Sequence, residues 1–237
     1  MSDATICLPT YNERENLEPM LRALEPYGTR VLVIDDSSPD GTGELADRLA
    51  RELDFVSVLH RERKEGLGPA YLAGFRRALA DGADQILEMD CDFSHDPADV
   101  PRLIAAVEGG AGLALGSRYV EGGGTVNWGL ARRLVSTGGS LYARLLLGVR
   151  IRDLTGGFKC YRRDVLERID LDAIHSKGYA FQIETTYRTL RAGFTVVEVP
   201  ITFADRTVGH SKMTRTIFLE AVKKVPALRL AALMGRL

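Results

Sequence analysis

Three short acidic segments each follow an apolar run in this sequence. Pro9-Thr10-Tyr11-Asn12-Glu13 follows TICL (5–8), Asp35-Asp36-Ser37-Ser38-Pro39-Asp40-Gly41-Thr42 follows VLVI (31–34), and Asp90-Cys91-Asp92-Phe93-Ser94 follows QILEM (85–89). A tyrosine ring can flank a base, and Glu13 and Asp36 can accept hydrogen bonds from a base or ribose. Asp90 and Asp92 offer hard oxygen ligands to a divalent cation, and Mg²⁺ or Mn²⁺ held there would bridge a diphosphate. An Asp-x-Asp triplet alone carries little: Asp170-Leu171-Asp172 is a second one, follows no apolar run, and reads as a turn. Ser-Pro-Asp-Gly-Thr (38–42) has the chemistry of a turn leading into a helix, so Asp40 and Thr42 are expected to be structural while Asp36 keeps the binding role.

Cations supply the complementary half. Arg118, Arg132, Arg133, Arg206 and Lys212 fall beside predicted element ends, with Gly116 and Gly209 close by, and guanidinium forks match phosphate oxygens in pairs. Other phosphate-binding schemes fail on spacing: there is no GxxxxGK[ST], and Gly41-Thr42-Gly43 lacks the third glycine of a dinucleotide fingerprint. Gly66-Leu67-Gly68, with Lys64 just before it, reads equally as a phosphate-facing backbone or an ordinary loop. His60, His95, His175 and His210 form no metal-ligand spacing, and Cys7, Cys91 and Cys160 form no CxxC, so reduced thiols are expected rather than a disulfide framework or a zinc site.

The elements that must position these groups are legible in the periodicity. TICL, VLVI, FVSVL (55–59), QILEM and GLALG (112–116) read as strands. Between them, Leu17, Met20, Leu21 and Leu24 share one helical face, as do Leu45, Ala46, Leu49 and Leu53, then Leu72, Phe75 and Leu79, then Val100, Leu103, Ile104 and Val107. Strand alternating with helix predicts an α/β fold with a mostly parallel open sheet, in which ligands bind outside the carboxyl ends of the strands. Beyond residue 117 the pattern predicts a glycine-rich loop over 121–129 with Trp128 as a candidate lid and a long helix from Leu130 to Leu147. A strand over 195–203 ends at or near Pro200, and a C-terminal helix is kinked or restarted at Pro226.

The chain has 237 residues, 45 % of them hydrophobic, enough to form a substantial core. Lys and Arg number 31 against 32 Asp and Glu, so no overall basic field favours a nucleic-acid partner. The C-terminal stretch from Asp205 is locally basic, where an anionic partner would dock. No run is apolar and long enough to cross a bilayer, and the N-terminus lacks the pattern of a secretory signal, so a cytoplasmic protein is expected.

The stretches LPTYNERENL (8–17), IDDSSPDGT (34–42), KEGLGPAYLAGFRRAL (64–79), EMDCDFSHDP (88–97), GSRYVEGG (116–123), LTGGFKCYRR (154–163), GYAFQIE (178–184) and FADRTVGHSKM (203–213) resemble the family 2 inverting glycosyltransferases of the GT-A fold. Within that family they are most similar to the dolichol-phosphate (polyprenol-phosphate) mannose synthases. The resemblance implies a single GT-A catalytic domain over 1–213; residues 214–237 read as a basic amphipathic helical segment, without the transmembrane helices that some family members add after the catalytic domain. It implies contacts to GDP-mannose from Pro9, Tyr11, Glu13, Ile34, Asp36, Cys91, Arg118, Arg206 and Lys212, with Mg²⁺ or Mn²⁺ on Asp90 and Asp92. Arg132 and Ser136 fall where the family binds the acceptor phosphate, and Asp92 and Arg118 are the implied catalytic pair. The sequence departs from the family at Ser94, where some members have Gln, at Cys91 in place of Ala, and at Ser140 in place of Asn.

The implied reaction is transfer of mannose to a polyprenyl monophosphate with inversion. The phosphate acceptor is already ionised near neutral pH, so no strong general base is required. The partners expected are GDP-mannose, a membrane-borne polyprenyl (dolichyl) phosphate and a separate membrane-anchoring subunit, with the protein peripheral on the cytoplasmic face of a membrane. Two rival readings are a polyprenyl-phosphate glucosyltransferase using UDP-glucose and a non-catalytic nucleotide-sugar-binding module. A receiver-type signalling domain, suggested by Asp35-Asp36 alone, would leave Arg206 and Lys212 without purpose.

Overall fold

The computed structural model describes residues 3–204, 215–235 and 237. Five strands lie where the apolar runs predict them: β1 (Ala4–Thr10), β2 (Arg30–Asp35), β3 (Val56–His60), β4 (Gln85–Glu88) and β5 (Leu113–Ser117). They alternate with α1 (Arg14–Leu24), α2 (Thr42–Glu52), α3 (Leu67–Ala80) and α4 (Val100–Glu108). Then come β6 (Gly124–Val126), α5 (Leu130–Leu147), β7 (Lys159–Arg162), α6 (Arg163–Arg168), α7 (Gly178–Arg191), β8 (Val196–Pro200), β9 (Thr202–Ala204) and α8 (Arg215–Leu233).

The main sheet runs β3-β2-β1-β4-β7-β5-β8. Pairing is parallel except that β7 is antiparallel to both β4 and β5. Period-2 alternation distributes the strands' side chains between two helix layers. Ile6, Leu8, Val31 and Val33 join Leu17, Met20, Leu49 and Leu103 of α1, α2 and α4 on one face. Cys7, Leu32 and Ile34 join Tyr71, Phe75 and Phe181 of α3 and α7 on the other. Burial on both faces explains why these strands read as continuous apolar runs.

Strands β2 and β3 lie to one side of β1, and β4 lies to the other. The crossovers therefore diverge at the β1/β4 boundary, leaving a crevice outside the carboxyl ends of those two strands. A third core unites Ala143 and Leu147 of α5, Ile183 and Tyr187 of α7, and Val225, Leu228 and Ala232 of α8.

The second half departs from the sequence reading in four places. The predicted strand over 195–203 is divided into β8, at the edge of the main sheet, and β9, which pairs with β6 in a separate two-stranded ribbon. Residues 121–129 are therefore only partly loop. Pro226 lies inside α8, which continues across it. Strand β7 and helices α6 and α7 had no counterpart in the periodicity reading. No described helix is long and apolar enough to cross a membrane.

Candidate functional site

The predicted acidic segments lie at the carboxyl ends of β1, β2 and β4, around the crevice. Asp36 follows β2, and its amide donates to the Thr10 carbonyl at the end of β1 (3.1 Å). Past the end of β4, the Met89 amide reaches the Cys7 carbonyl of β1 (3.3 Å), placing the Asp90-Cys91-Asp92 turn beside the same rim. Among the described residues, the non-glycines with left-handed φ are Asn12, Ser37, Phe93 and Asn127. The first three sit in the loops after β1, β2 and β4. Strained backbone concentrated at strand ends around one crevice is a mark of a functional site.

The turn after β4 is tightly organised. Asp92 is buried, and its Oδ1 accepts from the Ser94 hydroxyl (2.6 Å) and amide (3.1 Å). Asp90 Oδ1 accepts from the Tyr71 hydroxyl (3.3 Å), and the Asp90 amide donates to His95 Nδ1 (3.1 Å). The His95 ring stacks on Phe158, and the Ala204 amide of β9 donates to the Ser94 carbonyl (3.3 Å), so the turn is braced from two sides. Two carboxylates within one turn form an oxygen-only donor set. No cluster of three or more potential metal-ligating side chains occurs among the described residues. Such a sparse set suits a hard divalent cation that retains waters and takes substrate phosphate oxygens as further ligands. Cys91 is buried, like the other two cysteines, all of which are free thiols.

On the β1/β2 side, the Tyr11 ring lies beneath the Lys64 ammonium, which is 3.6 Å from the ring centroid. Asp36 is buried and accepts from Arg61 at 2.5 Å, while Arg61 also pairs with Glu65 (2.8 Å). Burial raises the Asp36 carboxyl above its ordinary range, against the opposing pull of Arg61. The β3–α3 loop therefore places cations on both the ring and the carboxylate assigned to a nucleotide. Glu13 lies at the start of α1: its amide donates to Thr42 Oγ1 (3.1 Å), and its Oε2 accepts from Asn16 Nδ2 (2.9 Å). Pro9 lies opposite Ile34 in the β1/β2 register. The Ile34 side chain is fully buried in the core against α3, so this residue presents only backbone to a ligand.

The structure decides several alternatives. Asp40 caps its own turn, accepting from the Thr42 amide (3.0 Å) and hydroxyl (2.6 Å). Although burial opposes it, the hydrogen bonds from Thr42 and Arg14 hold Asp40 below the usual carboxylate range. Asp170 Oδ1 accepts from the Asp172 and Ala173 amides, the turn expected of the second Asp-x-Asp. A Cβ at Gly68 would lie 2.4 Å from the Ser176 carbonyl oxygen, so close packing against the segment before α7 explains that glycine.

Arg118, expected as an anion binder, is already ion-paired within the protein. It follows β5 and is engaged by Asp153 through Nε (2.7 Å), Nη2 (2.6 Å) and its own amide (3.0 Å), with Thr155 Oγ1 a further acceptor (2.9 Å). The two side chains are 5 % and 0 % exposed. Aromatic rings of Tyr119, Trp128 and Phe203 surround the guanidinium, each 5.2 to 5.4 Å from it. Trp128 also packs edge-on against Phe203. Ser140 Oγ and Thr155 Oγ1 share a hydrogen bond (3.2 Å), and the Tyr119 hydroxyl donates to Ser136 (2.7 Å), linking α5 to the rim.

The Arg132 side chain, Arg206 and Lys212 lie outside the described residues. Sequence reasoning missed Arg61, Asp153, Thr155 and Tyr119. Tyr119 and Thr155 fall inside matched stretches, but nothing in one sequence distinguishes a buried, ion-paired Asp153 from a turn aspartate.

Comparison with known proteins agrees with this architecture. Glycosyl transferase family 2 matches residues 5–170. An undecaprenyl-phosphate mannosyltransferase of Micrococcus luteus is 52 % identical over 227 residues, covering 95 % of this chain and 93 % of the relative. A polyprenol monophosphomannose synthase of Mycolicibacterium smegmatis is 52 % identical over 224 residues, covering 93 % of this chain and 84 % of the relative. Among solved structures, the glucosyl-3-phosphoglycerate synthase of Mycobacterium tuberculosis, in complex with Mn²⁺, UDP-glucose and phosphoglyceric acid, superposes with a TM-score of 0.68 at 19 % identity. The alignment covers 99 % of this chain and 79 % of that one, a likeness of fold. With a single α/β domain, a mostly parallel sheet and acidic strand ends at its switch point, this chain belongs to glycosyl transferase family 2.

Proposed function

We propose that this chain transfers mannose from GDP-mannose to a polyprenyl monophosphate with inversion at the anomeric carbon. The observation that carries the reading is the convergence of Tyr11, Asp36, Asp90 and Asp92 at the β1/β4 switch point in a family 2 glycosyltransferase. The names of the two relatives at 52 % identity supply the sugar and the acceptor class.

Base and ribose fall to Pro9, Tyr11, Glu13 and Asp36, with backbone at Ile34 and Cys91. Asp90 and Asp92 would hold Mg²⁺ or Mn²⁺, which when bound offsets charge on the diphosphate. The acceptor phosphate oxygen attacks the anomeric carbon from the face opposite the diphosphate. The new C–O bond forms as the bond to the diphosphate breaks, and the electron pair leaves with GDP. No proton has to be removed from the ionised nucleophile, so this chain's residues act by orientation and charge. Asp153 holds the Arg118 fork in one orientation beside the rim. Ser136, Arg132, Arg206 and Lys212 are assigned to the two phosphate groups, whose mutual repulsion cationic side chains reduce.

The test is a radiolabelled-sugar assay with a polyprenyl phosphate, comparing GDP-mannose with UDP-glucose, each with Mn²⁺ or with chelator. Label transferred from GDP-mannose and abolished by chelator is expected. Preference for UDP-glucose would establish the glucosyl alternative, and binding without turnover of either donor would reduce the chain to a nucleotide-sugar-binding module.

A further inference from the structure

We propose that Tyr71 is a positioning residue for the sugar-transfer site: its hydroxyl, delivered from α3, holds the Asp90 carboxylate in the orientation that takes a divalent cation. The proposal rests on the assignment of Asp90 and Asp92 to the cation above. Tyr71 is fully buried, and its hydroxyl donates to Asp90 Oδ1 at 3.3 Å. The companion carboxylate is held in the same way, since Asp92 Oδ1 accepts from the Ser94 hydroxyl at 2.6 Å. The two donors differ in origin. Ser94 belongs to the Asp-x-Asp turn itself, whereas Tyr71 comes from a helix, 19 residues earlier in the chain than Asp90. An aspartate χ2 is broad and two carboxylates in one turn repel each other, and a fixed donor opposes both effects.

The fold leaves this phenol little freedom. Its ring stacks on Phe75 and on Phe181, each with its centroid 6.0 Å away. Gly68 and Gly74 lie three residues before and after it on α3, near the same helical face. A Cβ at Gly68 would collide with the Ser176 carbonyl oxygen, and one at Gly74 would collide with Ile34 Cδ1 and lie 3.0 Å from Cys7 Sγ. Helix α3 therefore packs on the sheet and on the segment before α7 at distances only glycine permits, and Tyr71, between those two contacts, is carried down to the end of β4. The Asp90 backbone is braced by a separate group, since its amide donates to His95 Nδ1 (3.1 Å) and the His95 ring stacks on Phe158. A neighbouring phenol provides a comparison within the same aromatic group. Tyr161 of β7 is equally buried, packs edge-on against Phe75 with centroids 5.5 Å apart, and donates to Glu88 Oε1 (2.9 Å) and Thr185 Oγ1 (3.0 Å).

The test is Mn²⁺ binding to the full chain in the presence of GDP or UDP, followed by loss of the free-ion electron paramagnetic resonance signal, in wild type, Tyr71→Phe and Tyr161→Phe. Tyr71→Phe keeps the ring stack and removes one oxygen, so it is expected to keep its fold by circular dichroism. It is expected to bind Mn²⁺ about tenfold or more weakly, the loss typical when a ligating side chain is deprived of its outer hydrogen-bond partner. The Mn²⁺ concentration that gives half-maximal transfer should rise by the same factor. Its affinity for the nucleotide in chelator should match wild type, because Tyr71 acts through the cation ligand. Tyr161→Phe should bind Mn²⁺ like wild type. Equal Mn²⁺ affinity in folded Tyr71→Phe overturns the proposal, and so does a loss of its nucleotide affinity in chelator. A matching loss of Mn²⁺ affinity in Tyr161→Phe overturns it too, since the effect would then come from general loosening at the end of β4. Wild type that binds no Mn²⁺ with either nucleotide sinks the cation assignment itself, a result distinct from the other three.

Discussion

Replacing Asp153 with asparagine leaves the Arg118 guanidinium buried without a counter-ion. In the native protein Asp153 accepts three hydrogen bonds from Arg118, two from the side chain and one from the amide, at 2.6 to 3.0 Å. Burial alone would lower the Arg118 pKa, but Asp153 overcomes it and raises it further, so the guanidinium cannot escape its charge by losing a proton. Removing one member of a buried ion pair costs about 3–5 kcal/mol, because the survivor remains desolvated. That is a large share of the roughly 5–15 kcal/mol that stabilises a folded protein. Urea unfolding followed by far-UV circular dichroism should show a loss of that size for Asp153→Asn. Adding Arg118→Met should restore part of it, since no unpaired charge is then buried and an asparagine can still serve the Arg118 backbone amide. A loss below about 1 kcal/mol would mean that water reaches Arg118 and would refute the buried-pair argument.

Asp92→Ala should abolish sugar transfer while costing only about 1–2 kcal/mol of stability, the value of the hydrogen bonds to Ser94, measured by a radiolabel assay beside thermal unfolding; normal transfer would exclude the metal assignment. Arg132→Ala should raise the apparent KM for polyprenyl phosphate several-fold with kcat largely retained, read from initial rates, whereas an unchanged KM would remove Arg132 from the acceptor site. Burial lowers Lys159 from 10.5 to about 8, against the pull of Glu88. From pH 8 to 9 the unfolded state then binds more protons than the folded state, so this residue makes stability rise with pH by up to about 1.4 kcal/mol per unit. The buried thiols act in the opposite direction already inside that window, because burial raises Cys7 and Cys160 above their ordinary value of 9.0, and the buried phenols of Tyr71 and Tyr161 join them at higher pH. Lys159→Met should make the slope of stability against pH between 8 and 9 more negative than that of wild type, by up to about 1.4 kcal/mol per unit, in urea titrations, and an unchanged slope would contradict the assignment.

The sequence by itself determined β1 to β5, their intervening helices and the acidic rim. Strands buried on both faces must be continuously apolar, helices between them must repeat every 3.6 residues, and ligand groups must follow the strands. It also separated Asp90/Asp92 from Asp170/Asp172, because only the first pair closes an apolar run. The α5 boundaries were legible from Leu130 to Leu147, but its apolar pattern did not show which side would stay uncovered. Strand β7 escaped notice because it is four residues long and carries a lysine; that lysine is buried only because Gln182 and Thr185 of α7 accept from it at 2.9 Å. The Arg118–Asp153 pair spans 35 residues, and the Asp36–Arg61 pair spans 25. Such pairings depend on which strand ends the topology brings side by side, and a local pattern contains no information about distant partners. Tertiary structure alone therefore decided that one expected anion binder is already ion-paired, that cations from the β3–α3 loop cover the proposed nucleotide groups, and that a row of leucines on α5 is left facing outward.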